Sequence, residues 1–388
     1  MKKRIAFLFI NGTHHVYHTL PTAIQAAVRY PDSHIILICG SDHNYKMIRA
    51  AIPEPIPDNL EIVGVKEPFR FKYLNYKHKQ YPLPKEVFRK SLPILKKVDA
   101  IIGTSHGLGM YAKDCGLSNV KVIYQCHGCG DRAYSFDPAL ADFDLILVPN
   151  SLYQRRIAAV QGMQKTRIEV VGYPKTDIVK KRALKESLFN STNKTFVYCP
   201  HWEKELTSYA LWGKQLLDYF QRNPQYNLIF APHILVKHWG HRLKYDTKLS
   251  QYRSASNILI DFKSDALVDM TYLLAADCYI GDISSQIYEF LLLQIRPAIF
   301  LNAHGVAWKG NPDYAFWECG MVIDAIEELD AACKESLRKN HFSNIQRKRI
   351  EERFSITNGK PSEIAADAIF QIIDSGIQQS CDISHGCP

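Results

Sequence analysis

No stretch of this 388-residue sequence approaches the roughly 18 to 20 apolar residues that a helix needs to cross a bilayer, so no membrane-spanning helix is expected. Internal repeats and low-complexity tracts are also missing, which sets aside solenoids and fibrous or disordered chains. The opening residues, MKKRIAFLFINGTHH, start basic, but their apolar run is short and no small-residue cleavage site follows; they are read as a first strand. Without a secretion signal, the ten cysteines argue for reduced thiols in a cytosol rather than a disulfide framework. Cys126 and Cys129 form a CxxC that no second CxxC or spaced histidine pair completes, so a four-ligand zinc site is not expected. Helix-turn-helix, zinc-finger and RNA-recognition patterns are missing as well, and nucleic acid is not an expected partner.

What is present is ordinary globular chemistry in a chain too long for one ordinary core, so two domains are the starting expectation. Short apolar runs alternate with amphipathic stretches: IAFLFI, HIILIC, LEIVGV, DAIIGT, VKVIYQ and DLILVP, with segments such as LPTAIQAAVRY and LPKEVFRKSLPILKK between them. That alternation predicts a parallel sheet covered by helices on both faces. After RIEVVGYPKTD and a polar, basic stretch it restarts with TFVYCP, NLIFAP, NILIDF, DCYIGD and PAIFLN, placing the boundary near residues 174 to 194. The fold class read from this is α/β: two Rossmann-like domains, 1–175 and 194–360, with parallel sheets facing a central cleft, and a terminal helix and tail over 361–388.

Lysine and arginine exceed acidic residues by 48 to 39, and the excess is concentrated in KEPFRFKYLNYKHKQYPLPKEVFRKSLPILKK, residues 66–97, where basic and aromatic residues interleave. This segment is either a solvated face or a contact with an anionic membrane surface.

In doubly wound sheets ligands sit beyond the carboxyl ends of the strands, and the chemistry-bearing residues fall there. In ADCYIGDISSQIYEF a strand ends at Asp282, and Ser284 and Ser285 open a helix whose positive end suits a phosphate, although serine and aspartate also serve as plain caps. Glu289 lies about a turn further on, at no capping-box spacing. His127, His201 and His233 each follow a different strand. A histidine there can take a proton from a hydroxyl or, protonated, offset phosphate charge. His14, His15 and His106 also follow strands and are candidates for the acceptor side, with packing or capping as the competing role.

CHGCGDRAYSF, VVGYPKTD, VYCPHWEK, IFAPHI and GDISSQIYEFLLLQIRPAIF stand in an order and spacing that resembles the CDP-glycerol glycerophosphotransferase family, the teichoic-acid primases and polymerases. The resemblance implies the GT-B fold and transfer of a polyol phosphate from a CDP-activated donor to a hydroxyl, with no obligatory metal or other cofactor. It implies His127 as general base, His233 on the donor phosphates, and Asp282, Ser284 and Ser285 in the donor-binding strand-to-helix motif; His201, Gly172 and Glu289 are further candidates on the donor side. The expected acceptor is a lipid-linked saccharide or cell-surface polymer, and the expected location is the cytoplasmic face of the membrane. Two departures stand out. Where the family continues His-Gly with a Thr-Pro-Leu-Lys type sequence, this chain has Cys129-Gly130-Asp131-Arg132, and where the family often has Pro-Thr-x-Arg it has Pro200-His201-Trp202-Glu203. Lys204, Arg132 and His201 are candidates to replace the missing arginine, with Arg132 also a candidate on the acceptor side. The alternatives are a GT-B glycosyltransferase using a CMP- or UDP-sugar and a non-catalytic GT-B-like scaffold. Cys126 and Cys129 are read as packing residues and His127 as the working group.

Overall fold

A computed structural model describes residues 2–65, 84–128, 136–178, 188–234, 236, 249–354 and 359–383. The chain divides into two compact units, residues 1–128, 136–178 and 353–388 in the first and 129–135 and 179–352 in the second.

The first unit holds a seven-stranded sheet in the order β3-β2-β1-β4-β5-β6-β7, formed by Arg4–Phe9 (β1), His34–Cys39 (β2), Leu60–Gly64 (β3), Ala100–Gly103 (β4), Lys121–Gln125 (β5), Leu145–Val148 (β6) and Arg167–Val170 (β7). Every pairing is parallel. Because helices cover both faces, successive residues of the central strands are buried in either direction; Ile5, Ala6 and Phe7 are all fully buried. That explains why β1 reads as an unbroken apolar run rather than an alternating one.

The second unit repeats the plan with six strands in the order β10-β9-β8-β11-β12-β13: Lys194–Cys199 (β8), Tyr226–Phe230 (β9), Ile258–Ile260 (β10), Cys278–Gly281 (β11), Ala298–Leu301 (β12) and Met321–Ile323 (β13). The three-residue β13, Met-Val-Ile, was not among the strands expected from the sequence; it is too short to declare itself as an apolar run. Counted from its own first strand, each sheet has the order 3-2-1-4-5-6, with a seventh strand added at the end of the first, so each reverses direction once, between β1 and β4 and between β8 and β11. Loops that leave the strands at such a reversal splay apart and leave room for a ligand.

The helix Pro361–Ile383 packs on the first unit, against the helix Val16–Arg29. Its first turn is tied down where Asp177 accepts a hydrogen bond from the Ser362 amide at 2.7 Å. Farther along, Arg29 holds Asp367 through two hydrogen bonds at 3.0 and 2.7 Å, and Phe370 stacks on Tyr30 at 3.5 Å. His18, Thr19 and Thr22 are all buried in Val16–Arg29, His18 with its ring against Tyr173 and His127. Among the described residues no helix is long and apolar enough to cross a membrane.

Candidate active site

In the first unit the loop after β1 carries Asn11, His14 and His15, the loop after β4 carries Thr104 and His106, and His127 follows β5. The fold gathers these histidines. His127 lies 4.2 Å from His15 and 6.3 Å from both His18 and His106 between ring centres, and His14 lies 4.3 Å from His15. Asn11 Nδ2 donates to the Thr104 hydroxyl at 3.1 Å, which leaves that hydroxyl's proton for His15 Nδ1 at 2.8 Å. Tyr124, on β5, reaches His106 Nε2 at 2.9 Å and His127 Nδ1 at 3.3 Å. Burial, reinforced by His106, pushes His127 down to about 4, and burial likewise lowers His15, His18 and His106. His127 is therefore an unprotonated imidazole at neutral pH, able to accept a proton.

Sequence reasoning passed over His18, Thr104, Tyr124 and Lys175. Lys175 is buried and its charge bears on His18. Its backbone arrives through Gly172, whose φ of 82° turns the chain after β7 in a way glycine adopts freely. Gly172, expected on the donor side, thus belongs to the first unit. A buried lysine has no periodic signature, but its place in the quoted VVGYPKTD was a signal available beforehand.

The second unit is organised by a carboxylate. Asp282, at the end of β11, is buried; one oxygen accepts from the His201 amide at 2.8 Å and the other from the Ser208 amide at 2.7 Å and hydroxyl at 2.8 Å. The loop after β8 is thereby pinned to the loop after β11. Tyr198 holds the Ser208 hydroxyl at 2.8 Å, His304 bonds the Thr207 carbonyl at 3.0 Å, and the Trp317 indole donates to the Asp282 carbonyl at 3.1 Å. Burial outweighs these donors and raises Asp282 to about 6. With both oxygens engaged by protein donors, Asp282 braces the loop.

His201 accepts the Glu203 amide at Nδ1 (3.1 Å), which places the proton of its neutral ring on Nε2 as a donor. His233 lies 6.2 Å from it and is pushed down to about 4 by burial. The helix Gln286–Leu293 starts at Ser285, exposed and making no side-chain cap, while the Ser284 hydroxyl accepts from the Gln286 amide at 3.3 Å; Glu289 is half-buried in the first turn. The structure thus brings His201, His233, Asp282, Ser284 and Ser285 to one end of one sheet, and His14, His15, His106 and His127 to the same end of the other.

Arg132 and Cys129 lie outside the described residues, as does the 66–83 part of the basic segment. Cys126 packs against the first unit's core and burial pushes its thiol up to about 12, so the thiol is protonated at neutral pH. Among the described residues no three His, Cys, Asp or Glu side chains are grouped to hold a metal ion. The Asp-x-Asp sequence Asp142-Phe143-Asp144 has its carboxylates on Lys113 and Lys121.

The fold matches solved structures over nearly its whole length. UDP-GlcNAc 2-epimerase from Methanocaldococcus jannaschii aligns with a TM-score of 0.59 at 15% identity, covering 96% of this chain and 100% of that one. The Neisseria meningitidis UDP-GlcNAc 2-epimerase bound to UDP-GlcNAc aligns at 0.58 and 10%, covering 97% and 100%. Medicago truncatula UGT71G1 complexed with UDP-glucose gives 0.57 and 11%, covering 96% and 98%. At such identities these likenesses establish the GT-B fold. No protein of curated function matches the chain significantly. The family model for CDP-glycerol:poly(glycerophosphate) glycerophosphotransferase matches residues 13–371, a span that takes in both histidine groups and the Asp282 brace, and the chain belongs to that family of transferases.

Proposed function

We propose that the protein moves a polyol phosphate, glycerol phosphate or a close relative, from a CDP-activated donor to a hydroxyl of a lipid-linked saccharide or cell-surface polymer. The observation that carries the reading is His127: a half-buried, unprotonated imidazole at a strand end, ringed by other histidines, in a chain matched by this family from 13 to 371. The acceptor hydroxyl gives its proton to His127 as its oxygen bonds to the donor's β-phosphorus, and the bond from that phosphorus to the CMP oxygen breaks. The first unit serves the acceptor and the second the donor. His201 Nε2–H, His233 and the opening of Gln286–Leu293 supply hydrogen-bond donors and a positive dipole end for the diphosphate. A diphosphate beside His233 adds negative charge and draws a proton back onto its ring.

The test is a donor panel. CDP-glycerol, CDP-ribitol, CMP-sugars and UDP-sugars are incubated with an oligomeric poly(glycerol phosphate) acceptor or a lipid-linked disaccharide, and CMP or UDP release is measured. Turnover confined to CDP-polyols is the expected result. Turnover of a nucleotide sugar instead would move the reaction to a sugar carbon, a second reading favoured by His201-Trp202-Glu203 standing where the family often has Thr-x-Arg. No turnover of any donor would leave a binding scaffold.

The reading places the protein at the inner face of the membrane. Within the described part of the basic segment, Arg89, Lys90, Lys96 and Lys97 are exposed on or just after the helix Pro84–Leu95. Two of its basic residues have acidic company: Lys85 bonds Asp114 at 2.8 Å and Arg89 faces Glu86 at 3.6 Å. Each uncompensated basic residue near an anionic leaflet contributes about 1 kcal/mol, and the attraction fades with salt. Co-sedimentation with phosphatidylserine vesicles should fall on replacing Lys85, Arg89, Lys96 and Lys97 by Gln; wild-type sedimentation of that variant would reduce the segment to a solvated face.

A further inference from the structure

At the carboxyl end of the second sheet, three acidic residues stand immediately after their strands, and each is engaged by the protein. Asp261, after β10, accepts from the Lys263 amide at 2.8 Å, the Ser264 amide at 3.1 Å and the Tyr272 hydroxyl at 2.8 Å. Asp282, after β11, holds His201 and Ser208, and Asp324, after β13, accepts from Asn302 Nδ2 at 2.6 Å. Glu203 differs. It lies in the loop after β8, and its backbone is tied at both ends: the amide donates to His201 Nδ1 at 3.1 Å, and the carbonyl accepts from the Leu206 and Thr207 amides at 3.1 and 2.9 Å. His304 on the Thr207 carbonyl and Asp282 on the Ser208 amide fasten the far side of that turn. The Glu203 side chain itself is half-buried, and among the described residues no donor or cation reaches its carboxylate. A fixed loop thus carries a carboxylate next to the donor-side histidine with its hydrogen-bonding capacity unused.

Charge alone makes this placement unfavourable for a diphosphate, since like charges at short range repel. It becomes favourable when the same ligand brings hydroxyl hydrogens: a carboxylate accepts from two neighbouring hydroxyls at once, one on each oxygen, and such charge-assisted bonds are roughly twice as strong as neutral ones. A nucleotide-activated polyol carries two such pairs, one on its ribose and one on its polyol. Resting on the reading that the second unit holds the donor, we infer that Glu203 is a specificity residue that reads a vicinal diol of the donor. It selects donors with adjacent hydroxyls and disfavours diphosphates that lack them, whose charge it repels without compensation. No bond is made or broken at Glu203; its part is in binding.

The sign of one substitution tests this. For a merely solvated acid beside the diphosphate, Glu203→Gln removes a repulsion and tightens every diphosphate ligand; for a diol reader it weakens those that carry the diol. Dissociation constants are measured by calorimetry for CDP-glycerol, CDP and dideoxycytidine diphosphate. With the polyol diol as the group read, Glu203→Gln should weaken CDP-glycerol about tenfold and leave the other two as tight as in wild type or tighter. With the ribose diol, CDP-glycerol and CDP should both weaken and the dideoxy ligand should not. Tightening or no change of all three overturns the inference, and so does equal weakening of all three, which would assign the contact to another part of the nucleotide. The variant should also unfold at the wild-type temperature, because the bond from residue 203 to His201 is made by the backbone and survives the substitution; a lowered Tm would reveal a protein partner for the carboxylate and overturn the inference as well. If wild-type protein binds UDP-glucose and not CDP-glycerol, the polyol reading fails, and the same sign test on UDP-glucose decides Glu203. If it binds none of these ligands, the donor reading fails and takes the inference with it.

Discussion

The two units share a strand order and carry histidines at the same end of the sheet, yet they hold those histidines by opposite means. In the first, rings and hydroxyls support one another around His127, and Asp137, 3.9 Å from the His106 ring, stands at the surface. In the second, a buried carboxylate, Asp282, takes amide and hydroxyl donors from the preceding loop and fixes His201 through its backbone. A base that must take up and release protons gains from neighbours that do not trap its proton as an ion pair. A loop that must meet a diphosphate gains from an anchor whose negative charge is already spent on protein donors. The same topology thus supports one half suited to moving protons and one suited to holding a fixed shape.

The contrast can be broken most sharply at His127. His127→Ala should lower transfer by about 10²- to 10⁴-fold with donor affinity nearly unchanged, measured as CMP release alongside calorimetric binding of CDP-glycerol. A lost donor affinity would make His127 a phosphate ligand and erase the division of labour. Asp282→Ala should act the other way, on structure first: three buried donors lose their acceptor, for a loss of about 3 kcal/mol in thermal unfolding. An unchanged Tm would show that the loop after β8 holds itself.

Acidification separates the units by sign. His127 has a folded pKa near 4, below the usual 6.5, so the unfolded chain binds more protons in between. Its contribution is present above pH 6.5 and is lost as pH falls through that window; His15, His18 and His106 are lowered in the same direction. Asp282, raised to about 6 from an ordinary value near 3.9, acts inversely: its burial penalty is relieved as pH falls through 6. It offsets His233 in the second unit, and no such buried carboxylate is described in the first. Hydrogen exchange, corrected for intrinsic rates, should therefore show protection lost in the first unit more than in the second between pH 7 and pH 5. Equal loss in both would contradict the contrast.

The smallest effect is expected at Gly172→Ala. A left-handed φ of 82° strains any residue with a Cβ by about 1 kcal/mol, so Tm should fall by a few degrees while donor binding is retained. Loss of donor binding without loss of stability would place Gly172 on the donor side.

How much of this was legible beforehand follows from what each feature asks of the chain. Strands buried on both faces leave continuous apolar runs, so β1, β2, β8 and β9 could be read with little error, whereas the three-residue β13 could not. The motif histidines were legible because strand ends are. Their grouping was not, since His15 and His18, His106, and His127 come from three separate stretches of chain. Asp282 stood out as the last residue of a strand-to-helix motif, but the motif did not say that its carboxylate would be consumed by Ser208 and His201. The basic segment likewise had only Glu67 and Glu86 as its acidic members in sequence, while folding brought Asp114 onto Lys85.

The sequence by itself determined the two parallel sheets and the family, because apolar periodicity and motif order are local properties of the chain. Only the tertiary structure decided that the helix Pro361–Ile383 returns to the first unit, that Lys175 is buried and bears on His18, and that Tyr124 stands between His106 and His127. Most of those contacts join residues far apart in sequence, and their energies depend on burial and distance, which no local pattern encodes.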